Sequence, residues 1–366
     1  MRRVWIVAAV LGCASSPKDR EIIGMDSGVA PVDPLSWPVD EPGPFSVGYR
    51  SVDITYAPGA GVDARALRLN IWYPTDDESG LTATYTVGTD PDSMENAELA
   101  DAVYSGGYPV HVHSHGYLGF GATSAFLARY FASHGWVTVA PDHAQNTLID
   151  HVDPLPVAHF FHRPMDVSAA LDALPELIPG ADISTVVLSG HSFGSYTTWA
   201  AGGTAYDLDS IAQKCATGEG IEDDGCTADE EAMFAADLSD PRVVSTIPMA
   251  GTIRRGWFGS DGELGMQGPI MFFGGTEDDV GQQDQFDQMG AVDFTWVELE
   301  GGCHQTFALG TCPTLDMDLG FHVVQSLSLA FARATVLDDS DPRGAALISG
   351  EETISEIAST RRRLSR

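Results

Sequence analysis

The chain has 366 residues, 43% of them hydrophobic and 9% aromatic, with 52 acidic against 19 basic side chains and a formal net charge of −33. That apolar content supports a sizeable core and excludes a wholly disordered chain; no apolar run reaches the ~20 residues that cross a bilayer. The negative excess repels phosphate backbones, so nucleic acid is not an expected partner, and a solvated acidic surface is the plain reading of the charge.

At the start, Arg2 and Arg3 precede a short apolar stretch, Val4 to Leu11, which runs into Gly12-Cys13. A positive start and a brief apolar core read as a secretory signal rather than a spanning helix. Val10-Leu11-Gly12-Cys13 resembles a bacterial lipobox. The resemblance implies removal of residues 1–12 and lipidation of Cys13, hence an exported lipoprotein of the cell envelope (outer membrane or periplasm) or the extracellular side. Lipid would be the protein's only membrane contact, with the domain itself in water. Export leaves Cys215, Cys226, Cys303 and Cys312, two close pairs in an oxidising compartment. Disulfides 215–226 and 303–312 are expected, each contributing about 2–3 kcal/mol, with free thiols as the alternative. No C-x-x-C spacing favours zinc on these cysteines.

Residues 13–44 are rich in Pro, Asp, Ser and Gly and read as a flexible tether. Phe45–Ala57 and Ala66–Tyr73 alternate as strands around the turn residues Pro58-Gly59-Ala60-Gly61, a predicted hairpin. Tyr108–Ser114 is a further strand, Thr123–His134 a helix stopped by Gly135, and Trp136–Ala140 a short strand. Pro164–Leu177 reads as a helix with Pro164 in its first turn. Thr185–Ser189 is a strand and Phe193–Ala201 a helix. Residues 206–241 break the pattern and read as an acidic insertion over one end of the sheet. Val243–Met249, Pro269–Phe273 and Phe294–Leu299 are strands, and Leu319–Ala334 is a long amphipathic helix. The domain is thus placed at 45–336, with a C-terminal tail at 337–366 that carries the basic patch Arg361-Arg362-Arg363. Strand–helix alternation from about residue 108 predicts an α/β fold: a mostly parallel sheet, antiparallel N-terminal edge strands, and helices on both faces.

Thr185 to Gly194 is a strand running into Gly190-His191-Ser192-Phe193-Gly194, followed by a helix. That is G-x-S-x-G in the context of a nucleophile elbow, which forces a serine outward at the carboxyl end of a strand. A serine hydroxyl needs a base, and the base an acid, in the chain order Ser, acid, His. The loop after Pro269–Phe273 offers Asp278, with Asp279 or Glu277 as alternatives. The loop after Phe294–Leu299 offers His304. The oxyanion requires two N–H donors: Phe193, which follows the nucleophile, and Tyr117, in the glycine-bearing loop Ser114 to Gly119. Tyr117, Met249 and Trp257 are candidates for an apolar substrate cleft.

Several stretches carry a family resemblance: Leu69-Asn70-Ile71-Trp72-Tyr73-Pro74, His113-Ser114-His115-Gly116, Ala132-Ser133-His134-Gly135-Trp136-Val137, Pro141-Asp142-His143, Arg163-Pro164-Met165-Asp166-Val167, and the elbow. Over residues 45–335 the chain resembles α/β-hydrolases of the platelet-activating-factor acetylhydrolase-like, or "predicted dienelactone hydrolase", type. It is also similar to bacterial cutinase-like polyester hydrolases, in which the tyrosine after this glycine gives an oxyanion N–H and lines the cleft. The resemblance implies an α/β-hydrolase fold and either a short-acyl phospholipid or an aromatic polyester as substrate. Phe193 departs from the methionine usual in the polyester hydrolases, and the cysteine-bearing insertion from their compact form. Dienelactone hydrolases proper use a cysteine where this chain has Ser192.

The expected function is serine carboxylester hydrolysis through an acyl-enzyme, on short-acyl esters, by a monomer needing no cofactor and no metal. Two other classes compete. Alternating His111, His113 and His115 invite a zinc metallohydrolase reading, although Gly116-Tyr117 fails to complete the H-x-H-x-D-H pattern. A non-catalytic binding lipoprotein on the same scaffold is the other. The run Glu219 to Glu231 invites calcium but lacks EF-hand spacing.

Overall fold

A computed structural model describes residues 33–59, 63–218, 226–253 and 255–365. The signal peptide, Cys13, tether residues 14–32 and part of the acidic run (219–225) lie outside the described residues. None of the described helices is long and apolar enough to cross a membrane.

In chain order the elements are β1 (Ser46–Tyr56), β2 (Arg65–Thr75), β3 (Thr82–Thr84), β4 (Thr89–Glu95), β5 (Tyr108–Ser114), α1 (Ala125–Ser133), β6 (Val137–Asp142), α2 (His159–Leu177), β7 (Ala181–His191) and α3 (Phe193–Ala201). There follow α4 (Leu208–Thr217), α5 (Ala228–Phe234), β8 (Val243–Met249), α6 (Arg255–Phe258), β9 (Ile270–Gly275), α7 (Gln282–Gln288), β10 (Phe294–Leu299), α8 (Met317–Val336), α9 (Pro342–Ser349) and β11 (Ala358–Arg363). All strands join one sheet, ordered β11-β10-β9-β8-β7-β5-β6-β2-β1-β4-β3. The run from β10 to β6 is parallel. β1 and β2 form the expected antiparallel hairpin, and β2 pairs antiparallel with β6. From β5 the chain passes to β6 on one side and then crosses back to β7 on the other, which opens a crevice at the carboxyl ends of β5 and β7.

Period-two alternation divides the core between the two faces. Val186 and Leu188 of β7 pack with Val167, Ala170, Leu171 and Leu174 of α2. Val187 between them faces the opposite side, with Leu327 and Phe331 of α8.

The structure corrects several boundaries. α2 begins at His159, so Pro164 is interior rather than in the first turn. Its missing N–H would have served the carbonyl of Phe160. That oxygen instead accepts from the Tyr196 and Tyr206 hydroxyls, at 2.7 and 3.2 Å. Residues 33–44 are no loose tether: Val39 is buried, Asp40 takes two hydrogen bonds from Arg343, and Arg333 donates to Trp37 O. The tail is also part of the domain. β11 pairs antiparallel with β10, where Arg361 lies 4.0 Å over the Trp296 ring and Arg363 4.4 Å over Phe286. The insertion holds two helices, α4 and α5, whose buried Ile211 and Phe234 join the aromatic cluster of Trp199, Trp257 and Phe258. Both expected disulfides, Cys215–Cys226 and Cys303–Cys312, are present.

Candidate active site

Ser192 joins β7 to α3 with φ 55° and ψ −112°. A non-glycine residue holds a positive φ only where its surroundings impose it. Here the turn is so tight that a Cβ on Gly190 would lie 2.2 Å from Gly194 O, and a Cβ on Gly194 1.8 Å from Ser114 O. The Ser192 N–H donates to Met249 O at 2.9 Å, which fixes the turn against β8.

His304 follows β10 and Asp278 follows β9. His304 Nδ1 donates to Asp278 Oδ2 at 2.8 Å. This hydrogen bond places the proton on Nδ1 and leaves Nε2 as a base. The rival acids are occupied elsewhere: Asp279 Oδ1 accepts from Gly281 N at 3.0 Å, and Glu277 is exposed. No hydrogen bond joins Ser192 Oγ to His304 among the described residues; in unliganded hydrolases this contact is commonly long and tightens on binding. The Cys303–Cys312 disulfide closes the loop that carries His304. His191 Nε2 donates to His304 O at 2.9 Å, tying that loop to the elbow. Burial first, and the neighbouring His304 second, push His191 down to about 4, so it is neutral near pH 7.

On the other side of Ser192 lies the loop after β5. A Cβ on Gly116 would come 3.1 Å from Ser192 Cβ, so a larger residue would crowd the serine by a few tenths of an ångström. Gly116 O accepts from His115 Nδ1 at 2.7 Å and from Gly119 N at 3.0 Å. Its peptide is therefore pinned, and the Tyr117 N–H points away from that carbonyl within the peptide plane. His115 Nε2 accepts from His143 N at 3.0 Å, which sets the tautomer with hydrogen on Nδ1. Phe193 opens α3, so its N–H belongs to the helix's first turn.

A cleft of about 280 Å³ runs along Ser192, Tyr117, Phe193, Leu155, Thr252 and Val280. Tyr117 is 38% exposed and its hydroxyl donates to Asp153 Oδ1 at 2.7 Å. The other two cleft candidates are misplaced. Met249 sits in the core under the sheet, and Trp257 is buried against Phe160 with ring centroids 4.1 Å apart. Both are apolar residues near the right strands, and apolarity alone does not separate core from cleft. Leu155 and Val280 take their place.

His111, His113 and His115 each bind protein groups. His111 bridges Thr138 and Ser189, His113 Nδ1 meets Ser189 Oγ at 2.8 Å, and His115 is engaged as above. No cluster of three metal-ligating side chains occurs among the described residues. Beneath the loop, Asp166 accepts two hydrogen bonds from Arg65, one from Tyr56 and one from His143 Nδ1. Ser114 Oγ donates to His143 Nε2 at 2.9 Å. Arg163, Asp166, His143 and His191 lie in stretches that carry the family resemblance, but the sequence assigns none of them a role. A further signal is charge or imidazole set in otherwise apolar segments.

Three comparisons bear on this arrangement. The family model described as Chlorophyllase matches residues 91–212, the span from β4 to α4. No curated protein sequence matches the chain significantly. Among solved structures, a ferulic acid esterase from Streptomyces cinnamoneus superposes with a TM-score of 0.58 at 17% identity, covering 84% of this chain and 94% of that one. With its parallel sheet, its antiparallel edge and a serine elbow after β7, the chain has the α/β-hydrolase fold.

Proposed function

We propose that the protein is a serine carboxylester hydrolase acting on short-acyl esters. The observation that carries this is the hydrogen-bonded His304–Asp278 pair beside a serine held at positive φ. In the proposed cycle Ser192 Oγ attacks the ester carbonyl while His304 Nε2 takes its proton. Asp278 holds the imidazole and stabilises the imidazolium. The N–H groups of Phe193 and Tyr117 receive the oxyanion. His304 then protonates the leaving alcohol, and later activates the water that releases the acid. Side chains, two backbone N–H groups and water suffice for this cycle. The two named relatives, chlorophyllase and ferulic acid esterase, are compatible with ester chemistry.

The cleft supports small acyl groups, since about 280 Å³ is near the lower end of ligand pockets. A second reading, hydrolysis of aromatic polyester or of short-acyl phospholipid, is favoured by the exposed Tyr117 ring at the cleft mouth. Export as a monomeric lipoprotein through Cys13 belongs to the same proposal.

The test is hydrolysis of 4-nitrophenyl esters of increasing chain length by wild type and Ser192→Ala. Activity that peaks at short chains and vanishes in the variant supports the reading, and polyester film and phospholipids are then compared. An inactive folded wild type, or an active variant, overturns it.

A further inference from the structure

Arg163 of α2 is fully buried behind the proposed oxyanion hole. Its Nε donates to Thr197 Oγ1 on α3 at 3.0 Å and one terminal nitrogen to Asn146 Oδ1 at 2.5 Å. The other donates to Ser114 Oγ at 3.1 Å and to the His115 carbonyl. The guanidinium carbon lies 4.5 Å over the Phe193 ring. One side chain thus grips both segments that supply the oxyanion donors: the loop leading to Tyr117 and the first residue of α3.

Every one of these acceptors is neutral. Asp166, the nearest acid on the same helix, is already engaged by Arg65 in a two-pronged ion pair. Among the described residues no carboxylate forms an ion pair with Arg163. Burial pushes its pKa down to about 9, which still leaves it charged at neutral pH. A buried cation without a counter-ion is costly to a fold. Asn146 makes the cost pointed. Its Nδ2 is buried with no hydrogen-bond partner, while its Oδ1 accepts from Arg163. An aspartate of the same shape would neutralise the guanidinium and remove the unpaired donor, yet the chain carries asparagine.

We propose that Arg163 is a positioning residue of the oxyanion hole, and that its uncompensated charge stabilises the anion formed during ester attack. The inference rests on the serine esterase reading. When Ser192 Oγ bonds to the carbonyl carbon, the C=O π pair moves onto oxygen and the serine proton passes to His304. A neutral carbonyl becomes an oxyanion held by two N–H groups, with the guanidinium behind them. A charge that acts on this change raises kcat and leaves substrate affinity alone.

The decisive variant is Asn146→Asp, accompanied by Arg163→Met and Arg163→Lys. Measured are kcat and KM on 4-nitrophenyl butyrate, the inhibition constant of an alkylboronic acid that becomes an anionic tetrahedral adduct on Ser192, and the thermal midpoint. For Asn146→Asp the expectation is a kcat lower by about 10- to 100-fold, or about 1.4–2.7 kcal/mol. KM stays within about threefold, boronate affinity falls by the same factor as kcat, and the midpoint is unchanged or higher. A merely structural arginine predicts the same or a higher midpoint with no loss of kcat or boronate affinity. Wild-type kcat and boronate affinity in Asn146→Asp overturn the proposal, as does a loss confined to KM. Arg163→Met is expected to lose kcat similarly, with Arg163→Lys recovering part of it; if Met unfolds the chain, Asn146→Asp decides. A wild type without esterase activity, or an active Ser192→Ala, overturns the serine reading and this proposal with it.

Discussion

Acidification should unfold this protein well before its carboxylates titrate. Eight of its 11 histidines, His111, His113, His115, His134, His143, His159, His162 and His191, are held below the ordinary value of 6.5, with burial as the largest cause in each. His111, His134 and His162 are pushed to about 3, and His159 and His191 to about 4. The folded state keeps these rings neutral, whereas the unfolded chain protonates them as pH falls through 6.5. Stability is therefore full above 6.5 and is lost progressively below it, at about 1.4 kcal/mol per pH unit per histidine, until the folded rings themselves titrate near 3–4. At pH 5 each histidine has withdrawn about 2 kcal/mol, so three of them withdraw about 6 kcal/mol, comparable with the whole stability of many domains. At roughly 0.7 kcal/mol/K of unfolding entropy for a chain of this size, that lowers the midpoint by about 9 °C. Circular dichroism melts from pH 8 to pH 4.5 at fixed ionic strength measure it. His111→Gln, which keeps hydrogen-bonding capacity without titrating, should flatten the profile, and His151→Gln at the surface should not. A midpoint constant within about 2 °C between pH 7 and pH 5 refutes the reasoning.

Three further outcomes follow from the site. Asp278→Asn should lower kcat by about 10⁴-fold while Asp279→Asn stays near wild type, read by ester hydrolysis, because only Asp278 meets His304. Cys303→Ser with Cys312→Ser should cost about 2.7 kcal/mol from loop entropy and lower kcat as well, since that disulfide closes the loop of His304; melts and initial rates on the same sample check both. Ser192→Gly should melt at or above Ser192→Ala: relief of positive-φ strain is worth about 1–3 kcal/mol, against about 0.4–1 kcal/mol of added chain entropy. A glycine variant less stable than the alanine variant refutes the strain.

The central strands and the serine elbow were legible because each rests on local rules. Tyr108–Ser114, Val243–Met249 and Phe294–Leu299 are strands at the expected residues, and the elbow needs glycines on both sides of Ser192. Asp278 and His304 were chosen for their places after successive strands, and the structure brings the two within hydrogen-bond distance. Elements that depend on distant partners were not legible. Pro164 sits within α2 because two tyrosines from elsewhere cover the carbonyl it abandons. β4 is acidic and contains Pro91, which is tolerated because it falls outside the residues of β4 that pair with β1 and β3. β11 looks like a basic tail until Trp296 and Phe286 are seen beneath its arginines. For α5 a local signal did exist, the Thr227-to-Glu230 capping box, hidden within an acidic stretch that reads as loop.

Charge is sorted by depth in this molecule, and the sorting bears on what the site can turn over. The net −33 is carried largely by a solvated surface, where salt screens each charge within about 8 Å. Behind Ser192 the polarity is reversed: Arg163 is buried with no carboxylate ion pair among the described residues, Asp166 is paired with Arg65, and the surrounding histidines are neutral. In that dry region a charge acts at an effective dielectric near 20 rather than 80, so one cation there weighs more on a nearby anion than many screened surface carboxylates. On the proposed mechanism a neutral ester would approach without net-charge repulsion and feel the positive field most strongly when its carbonyl oxygen becomes an anion. An anionic ester is repelled by the surface on the way in, a penalty that salt removes. On the proposed mechanism, surface charge would discriminate between substrates, and the buried charge between ground state and transition state at the serine.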